Sequence, residues 1–250
     1  MSGHSKWAQI KRQKAGNDAK RGQMFTKLGR EIEVATRDGG GDPDANVRLR
    51  FSIQRARSFN MPADNIERAI KRGLGETDDA VQYDEITYEG YAPGGAALYI
   101  EVVTDNRNRA VAEVRSVLNR SGGSLGESGC VAWNFDQRGV VIGALTAEQD
   151  ADDLTLAAID AGALDVMQDN GTLEVHTVPT DLEAGKQALE GEGLEVTEAE
   201  VTFIPKSTVK LDSRQTVQVM RLIEQLEEFD DVQRVHTNLD ISEAPVAKAA

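Results

Sequence analysis

With 250 residues, 40% of them hydrophobic, and a formal net charge of −14, the chain has the composition of a folded protein, not a disordered one. No apolar run reaches the roughly 18 residues of a membrane span, and the N-terminus lacks the apolar stretch of a secretory signal, so a cytoplasmic protein with no membrane partner is expected. The lone cysteine, Cys130, excludes an internal disulfide and agrees with a reducing compartment.

Charge divides the chain in two. Residues 1–75 carry 16 Lys and Arg against 8 Asp and Glu, a balance of +8, whereas residues 76–250 carry 12 against 34, a balance of −22. A positive pole on an acidic chain points to a polyanion partner, most often nucleic acid. The acidic remainder repels phosphate, so contact is expected in the N-terminal part alone.

Residues 1–22 read as an arm, mobile when free, in which Lys6, Lys11, Arg12, Lys14, Lys20 and Arg21 alternate with polar residues. Three helices are predicted next. Phe25, Leu28, Ile32 and Ala35 recur at helical spacing until Gly39–Gly41 and Asp42-Pro43 stop the first. Leu49, Ile53 and Ala56 share a face of the second; Pro62 opens the third, which buries Ile66, Ala69 and Ile70 and ends at Gly73. An acidic linker over 76–82 follows, and the pattern then changes to period two at Ile86 and Tyr88.

Leu98–Val103 reads as a strand, Val111, Val114 and Leu118 lie on a helix closed by Gly122-Gly123, and Val131, Trp133 and Phe135 alternate as a further strand. From Gly139 a second module begins: a strand at Val140–Ile142, a helix with Leu154, Ala158 and Ala161, a hairpin across Asn170-Gly171, a helix near Leu182–Leu189 and a strand near Val196–Phe203. That βαββαβ order is the ferredoxin-like arrangement. A last helix (Val219, Ile223, Leu226) and a strand near Val235–Leu239 have no partners of their own and fit the first α/β module, which makes 137–205 an insertion within it. The domains expected are 1–78, 79–136 with 206–242, and 137–205, ending in a frayed tail over 243–250.

The search for catalytic chemistry is negative. His4, His176 and His236 lack metal-ligand spacing, one cysteine makes no zinc site, and no P-loop, dinucleotide fingerprint or nucleophile elbow is present. No metal or cofactor is expected. Gly39–Gly41 read as helix punctuation in preference to a phosphate cradle, and Cys130 as an inert thiol.

The cations carry the candidate site. In the arm, Trp7 is placed to stack on a base while Lys6, Lys11, Arg12, Lys14, Lys20 and Arg21 meet phosphates. Lys27 and Arg50 extend the set; Arg48, Arg50, Arg55 and Arg57 fit a solvated face as well as phosphate contact. Lys71 and Arg72 close a helix, where they complement its dipole or reach a polyanion. In Thr104-Asp105-Asn106-Arg107-Asn108-Arg109, the Asp and Asn read as helix caps and the arginines as interdomain contacts, with binding at that helix start as the alternative. Tyr91-Ala92-Pro93-Gly94-Gly95 is turn chemistry.

Several stretches resemble the YebC/PmpR family: Gly3-His4-Ser5-Lys6-Trp7, Ile10-Lys11, Phe25-Thr26-Lys27-Leu28, Gly40-Gly41-Asp42-Pro43, Asn60-Met61-Pro62, Asp64 through Gly73, Tyr88-Glu89-Gly90-Tyr91 and Thr104 through Arg109. The resemblance weakens after about residue 137, and Cys130 stands where the family is expected to have a serine. It implies an α+β multidomain fold, an N-terminal three-helix domain plus two ferredoxin-like α/β domains with the third inserted in the second. It also implies a non-enzymatic, DNA-binding regulator of transcription. The alternative it carries is a translation factor bound to the ribosome, rRNA or mRNA. Charge does not separate these, because both targets are phosphate polymers.

Overall fold

The computed structural model describes residues 18–77, 81–146, 149–169 and 171–241, with the backbone alone for 18–20. Three helices come first: α1 (Asp18–Gly39), α2 (Val47–Ser58) and α3 (Ala63–Gly73). The chain continues through β1 (Asp84–Tyr91), β2 (Ala97–Thr104), α4 (Arg107–Arg120) and β3 (Ser124–Leu125). Next come β4 (Phe135–Ala144), α5 (Ala151–Asp160), β5 (Asp165–Asp169), β6 (Thr172–Thr177), α6 (Leu182–Gly191) and β7 (Glu195–Pro205); α7 (Ser213–Glu227) and β8 (Val232–Thr237) end the series.

The helices pack by the stripes that the sequence repeats. Leu28, Ile32 and Ala35 of α1, Leu49, Ile53 and Ala56 of α2, and Ile66 and Ala69 of α3 form one core with Met61, and Met24 and Phe25 pack against it. The expected arm over 1–22 is too long, since α1 already runs from Asp18. Lys20, Arg21 and Gln23 are good helix formers, and Gly22 faces open space, so it costs only about 1 kcal/mol of propensity. Gly73 has a packing reason beyond ending α3: a Cβ there would come within 2.5 Å of the Glu33 carbonyl on α1.

One side chain fastens the α1–α2 corner. Asn46 caps α2 by accepting from the Leu49 amide at 3.0 Å, and its Nδ2 donates to the carbonyls of Ala35 and Gly40, each at 2.8 Å. It is buried, so its three bonds are shielded from water.

Two antiparallel four-stranded sheets follow, in the orders β3-β1-β2-β8 and β5-β6-β4-β7. The second has βαββαβ connectivity, with β4 and β6 in the centre, which is the ferredoxin-like arrangement. The first also carries two helices, α4 and α7, but enters by the β1–β2 hairpin and closes with β8, which joins β2 only after the whole second sheet has been built. The chain divides into two compact units. The three helices and the first sheet form one (Lys14–Ala132 and Asp212–Thr237), and the second sheet (Trp133–Leu211) forms the core of the other.

The strand expected across Val131, Trp133 and Phe135 is a correction. Val131 is buried, Ala132–Asn134 is a 3-10 turn, Trp133 is 67% exposed, and β4 begins only at Phe135. The cause is Glu89 on β1. Its buried carboxylate accepts from the amides of Gly129 at 2.6 Å and of Val131 and Ala132 at 2.7 Å, a convergence that an extended chain does not offer. Asn134 then holds Ser207 through its amide at 3.0 Å, fixing the start of β4 against the end of β7.

Replacing Asn46 by Ala removes a cap and strands two carbonyls. We expect a loss of about 2 kcal/mol, read as a lower urea midpoint of the full chain. An unchanged midpoint would mean that water satisfies these groups.

Candidate nucleic-acid interface

The sequence candidates fall into three groups. Lys6, Trp7, Lys11, Arg12 and Lys14 lie outside the described residues, as does the Lys20 side chain in the first turn of α1. Arg21 and Lys71 are exposed on the helical bundle. The Arg21 guanidinium lies 5.7 Å from the Phe25 ring, a cation–π contact that leaves its donors to solvent. Lys71 makes an i,i+4 pair with Glu67 at 2.8 Å; both are exposed, so the pair is weak and screened by salt.

The third group is already engaged within the protein. Lys27 is buried, and its ammonium donates to the Glu227 carbonyl at the end of α7, where Gln23 also donates to the Glu228 carbonyl. A cation at a helix C-terminus answers the dipole, so Lys27 joins the bundle to the first sheet's helix and is not presented to phosphate. Arg50 donates to the Pro43 carbonyl at 3.2 Å and braces the α1–α2 loop. Arg72 faces Glu33 at 3.5 Å, pulled toward a largely buried carboxylate on α1.

The other arginines of α2 separate by what lies opposite. Arg48 pairs with Glu85 of β1 and Asp38, and Arg55 pairs with Glu31 at 2.8 Å. Arg57 remains exposed, as does Arg68 on α3, and neither has an acid paired with it among the described residues. Arg21 and Lys71 are exposed with them, as are Arg37, paired with Asp38, and Arg48, paired with Asp38 and Glu85. Sequence reading left Arg57 undecided and missed Arg68. The signal was their place outside the Leu49–Ile53–Ala56 and Ile66–Ala69 stripes.

Charged groups link the bundle to the first sheet. Asp231, in the turn before β8, accepts from Arg30 of α1 at 2.8 Å, from Arg109 of α4 at 2.7 Å and from the Thr104 hydroxyl at 2.9 Å. Arg30 also donates to the Asp230 carbonyl at 2.8 Å, and its guanidinium covers the Tyr83 ring. Glu31 takes Ser52 and Arg55 from α2 and faces Arg234 of β8 at 3.6 Å. Burial pushes the Asp231 carboxyl up, but hydrogen bonds from Arg109, Thr104 and Arg30 outweigh it and hold the group below its ordinary range. The Glu89 carboxyl behaves alike: burial raises it, and the three backbone amides bring it down.

The 104–109 stretch serves the fold. Asn106 caps α4 by accepting from the Arg109 amide at 3.0 Å, while Arg107 grips Asp84 through two bonds of 2.8 and 2.9 Å. Arg109 points inward to Asp231, so the binding alternative for this helix start has lost both arginines to internal partners. In the Tyr91–Gly95 turn, Gly94 and Gly95 take φ of 82° and 83°, conformations that only glycine adopts without strain.

Catalytic or metal chemistry finds no support in these groups. Burial, and then the nearby Glu89 charge, push the Cys130 thiol up, the reverse of an activated nucleophile. His176 is bonded to Glu174 at 2.8 Å and His236 to Glu101 at 2.7 Å. Among the described residues, no three His, Cys, Asp or Glu side chains converge on a common point as metal ligands would. Nor is any described helix long and apolar enough to cross a membrane.

One unit thus joins a cationic helical bundle to an α/β sheet and the other holds a ferredoxin-like sheet, and the comparisons assign the chain. Residues 5–76 match the TACO1/YebC N-terminal domain and residues 83–239 the TACO1/YebC second and third domains, so the chain belongs to the TACO1/YebC family. It is 53% identical over 246 residues to a protein of Moorella thermoacetica, covering 98% of this chain and 97% of that one. With a protein of Pelotomaculum thermopropionicum it shares 52% over 244 residues, covering 97% and 100%. Both relatives bear the name "Probable transcriptional regulatory protein". A crystal structure of a conserved hypothetical protein from Aquifex aeolicus superposes with a TM-score of 0.80 at 44% identity, covering 93% of this chain and 94% of that one.

The Asp231 cluster sets an acid limit. A carboxyl whose folded value is depressed stabilises the fold above its unfolded pKa, about 3.9 for Asp, and that stabilisation fades as pH falls through the folded value. Asp231→Asn should therefore lower stability at pH 7 by about 3 kcal/mol, because Arg30 loses its charge partner in a partly buried site. It should also make unfolding less pH-dependent below about pH 4. Urea titrations at pH 7 and pH 3 check both; equal losses at the two pH values would remove Asp231 from the acid transition.

Proposed function

We propose that this protein is a DNA-binding regulator of transcription that acts by binding and not by catalysis. In this reading residues 1–78 make the contacts, while the α/β body, 79–136 with 206–242 and the inserted 137–205, positions them. The observation that carries it is the charge division, +8 over residues 1–75 against −22 over the rest. The names of the relatives support a regulatory role. The contact set is the arm cations Lys6, Lys11, Arg12, Lys14 and Lys20 with Trp7, joined by Arg21, Arg57, Arg68 and Lys71. Lys27 and Arg50 are left out of it because their donors serve the fold. We place the protein in the cytoplasm, where the lone thiol stays reduced.

Phosphate contact is read from salt dependence. Each neutralised phosphate contributes about 0.9 to the slope of log K against log salt on duplex DNA. Changing Lys6, Lys11, Arg12 and Lys14 together to Ala should flatten that slope by about 3.6. Lys27→Met should leave the slope unaltered and cost stability instead. An unchanged slope in the fourfold variant would show that those cations meet no phosphate. Competition then tests the target. If ribosomes strip the protein from a promoter fragment at far lower concentration than random DNA does, the partner is ribosomal RNA and the transcriptional reading falls.

A further inference from the structure

The face of the second sheet turned away from its own helices is solvent-excluded. Residues 137–205 hold 15 acidic side chains against Arg138 and Lys186, a balance of −13. One face of the sheet meets its helices: a Cβ on Gly139 or Gly143 of β4 would strike Leu182 and Leu194 respectively, and a Cβ on Gly185 of α6 would touch Thr177 of β6. The register places Val140 opposite His176 and Glu200, and Ile142 opposite Glu174 and Glu198, on the other face. Both helices of the unit lie across the sheet from these residues. Even so, Val140 is 0%, Ile142 5%, Glu174 2% and His176 7% exposed. Glu174, Glu198 and Glu200 are all engaged in polar or electrostatic contacts.

A face with an apolar centre and carboxylates around it needs a cover that is apolar in the middle and cationic at its edges, because a buried carboxylate is tolerated only when paired. Nucleic acid and anionic surfaces are repelled by the charge of −13, and a second copy would bring the same acids. The segment 242–250 offers one lysine. The stretch 1–17 fits: Trp7 and Ile10 stand among Lys6, Lys11, Arg12 and Lys14, with no acid before Asp18.

We propose that residues 1–17 dock on this face, with Trp7 and Ile10 over Val140 and Ile142 and the arm cations on Glu174, Glu198 and Glu200. The acidic sheet then holds the same cations that a polyanion would take. The consequence for binding, which rests on the nucleic-acid reading of the arm, is autoinhibition. An arm docked about 90% of the time weakens polyanion affinity about tenfold, since only the free fraction competes.

The test uses the full chain carrying Trp133→Phe, which leaves Trp7 as its single tryptophan. At low salt Trp7 should emit at blue-shifted wavelengths and resist acrylamide quenching. Both properties should be lost on adding salt, in Glu198→Gln/Glu200→Gln, and in Lys11→Gln/Arg12→Gln/Lys14→Gln, whose changes lie in the arm and spare the packed sheet. The control Glu190→Gln/Glu192→Gln, at the end of α6, should behave as the parent. Glu198→Gln/Glu200→Gln should also bind duplex DNA about tenfold more tightly than that control. Solvent-exposed Trp7 emission in the parent at low salt, or emission indifferent to both sets of changes, overturns the docking. Docked Trp7 with no DNA binding by any variant leaves the docking standing and overturns the regulator reading.

Discussion

Asp231 joins what the chain order keeps apart. Its carboxylate receives Arg30 from the first helix, Arg109 from the fourth and Thr104 from a central strand, while its own carbonyl accepts from the Val103 amide at 2.8 Å. The turn that starts β8 is therefore pinned to the helical bundle and to β2 at one point. A buried carboxylate with three donors is stable only when all three arrive, so the contact demands that bundle, hairpin and returning strand be assembled together. The neighbouring half-buried Glu31–Arg55–Arg234 group repeats the logic, whereas the exposed Arg48–Glu85 pair is screened by water and adds little.

That design constrains where a polyanion can sit. The bundle is basic by composition, but many of its cations face inward and neutralise acids of the sheet or cap a helix end. Lys27 is the clearest case, with its charge placed on the C-terminus of α7. Among the described residues, Arg21, Arg57, Arg68 and Lys71, outside the buried helical stripes, stay exposed. A cationic segment on a chain with a net charge of −14 has internal competitors for its counter-ions, and residues 137–205, with 15 acids against two cations, hold a large share of them. Affinity for nucleic acid would then depend on the balance between two acidic surfaces, and salt would weaken both.

Much of the fold was legible in the residues. The helical stripes, the breaks at Gly39–Gly41 and Pro62, the antiparallel pairing of β5 with β6 and the βαββαβ order all follow from local rules of spacing and turn chemistry. The return of the last strand to the first sheet was legible as an unpartnered helix and strand. What local rules could not supply was the behaviour of residues held by distant groups. Trp133 alternates with Val131 and Phe135 as in a strand, yet Glu89, more than forty positions earlier, gathers the amides of Gly129, Val131 and Ala132 and turns the chain. Asn46 looks like an ordinary loop residue until its three hydrogen bonds are seen.

The site divides along the same line. The sequence by itself determined the charge division, the family and the helical faces, because composition and periodicity are properties of neighbours along the chain. The tertiary structure decided which cations remain available: Lys27, Arg50 and Arg109 were claimed by a helix end, a loop carbonyl and Asp231, while Arg57 and Arg68 were left to solvent. The physical reason is that a charge's availability depends on its nearest opposite charge or carbonyl in space, and for these side chains that partner is often far away in sequence.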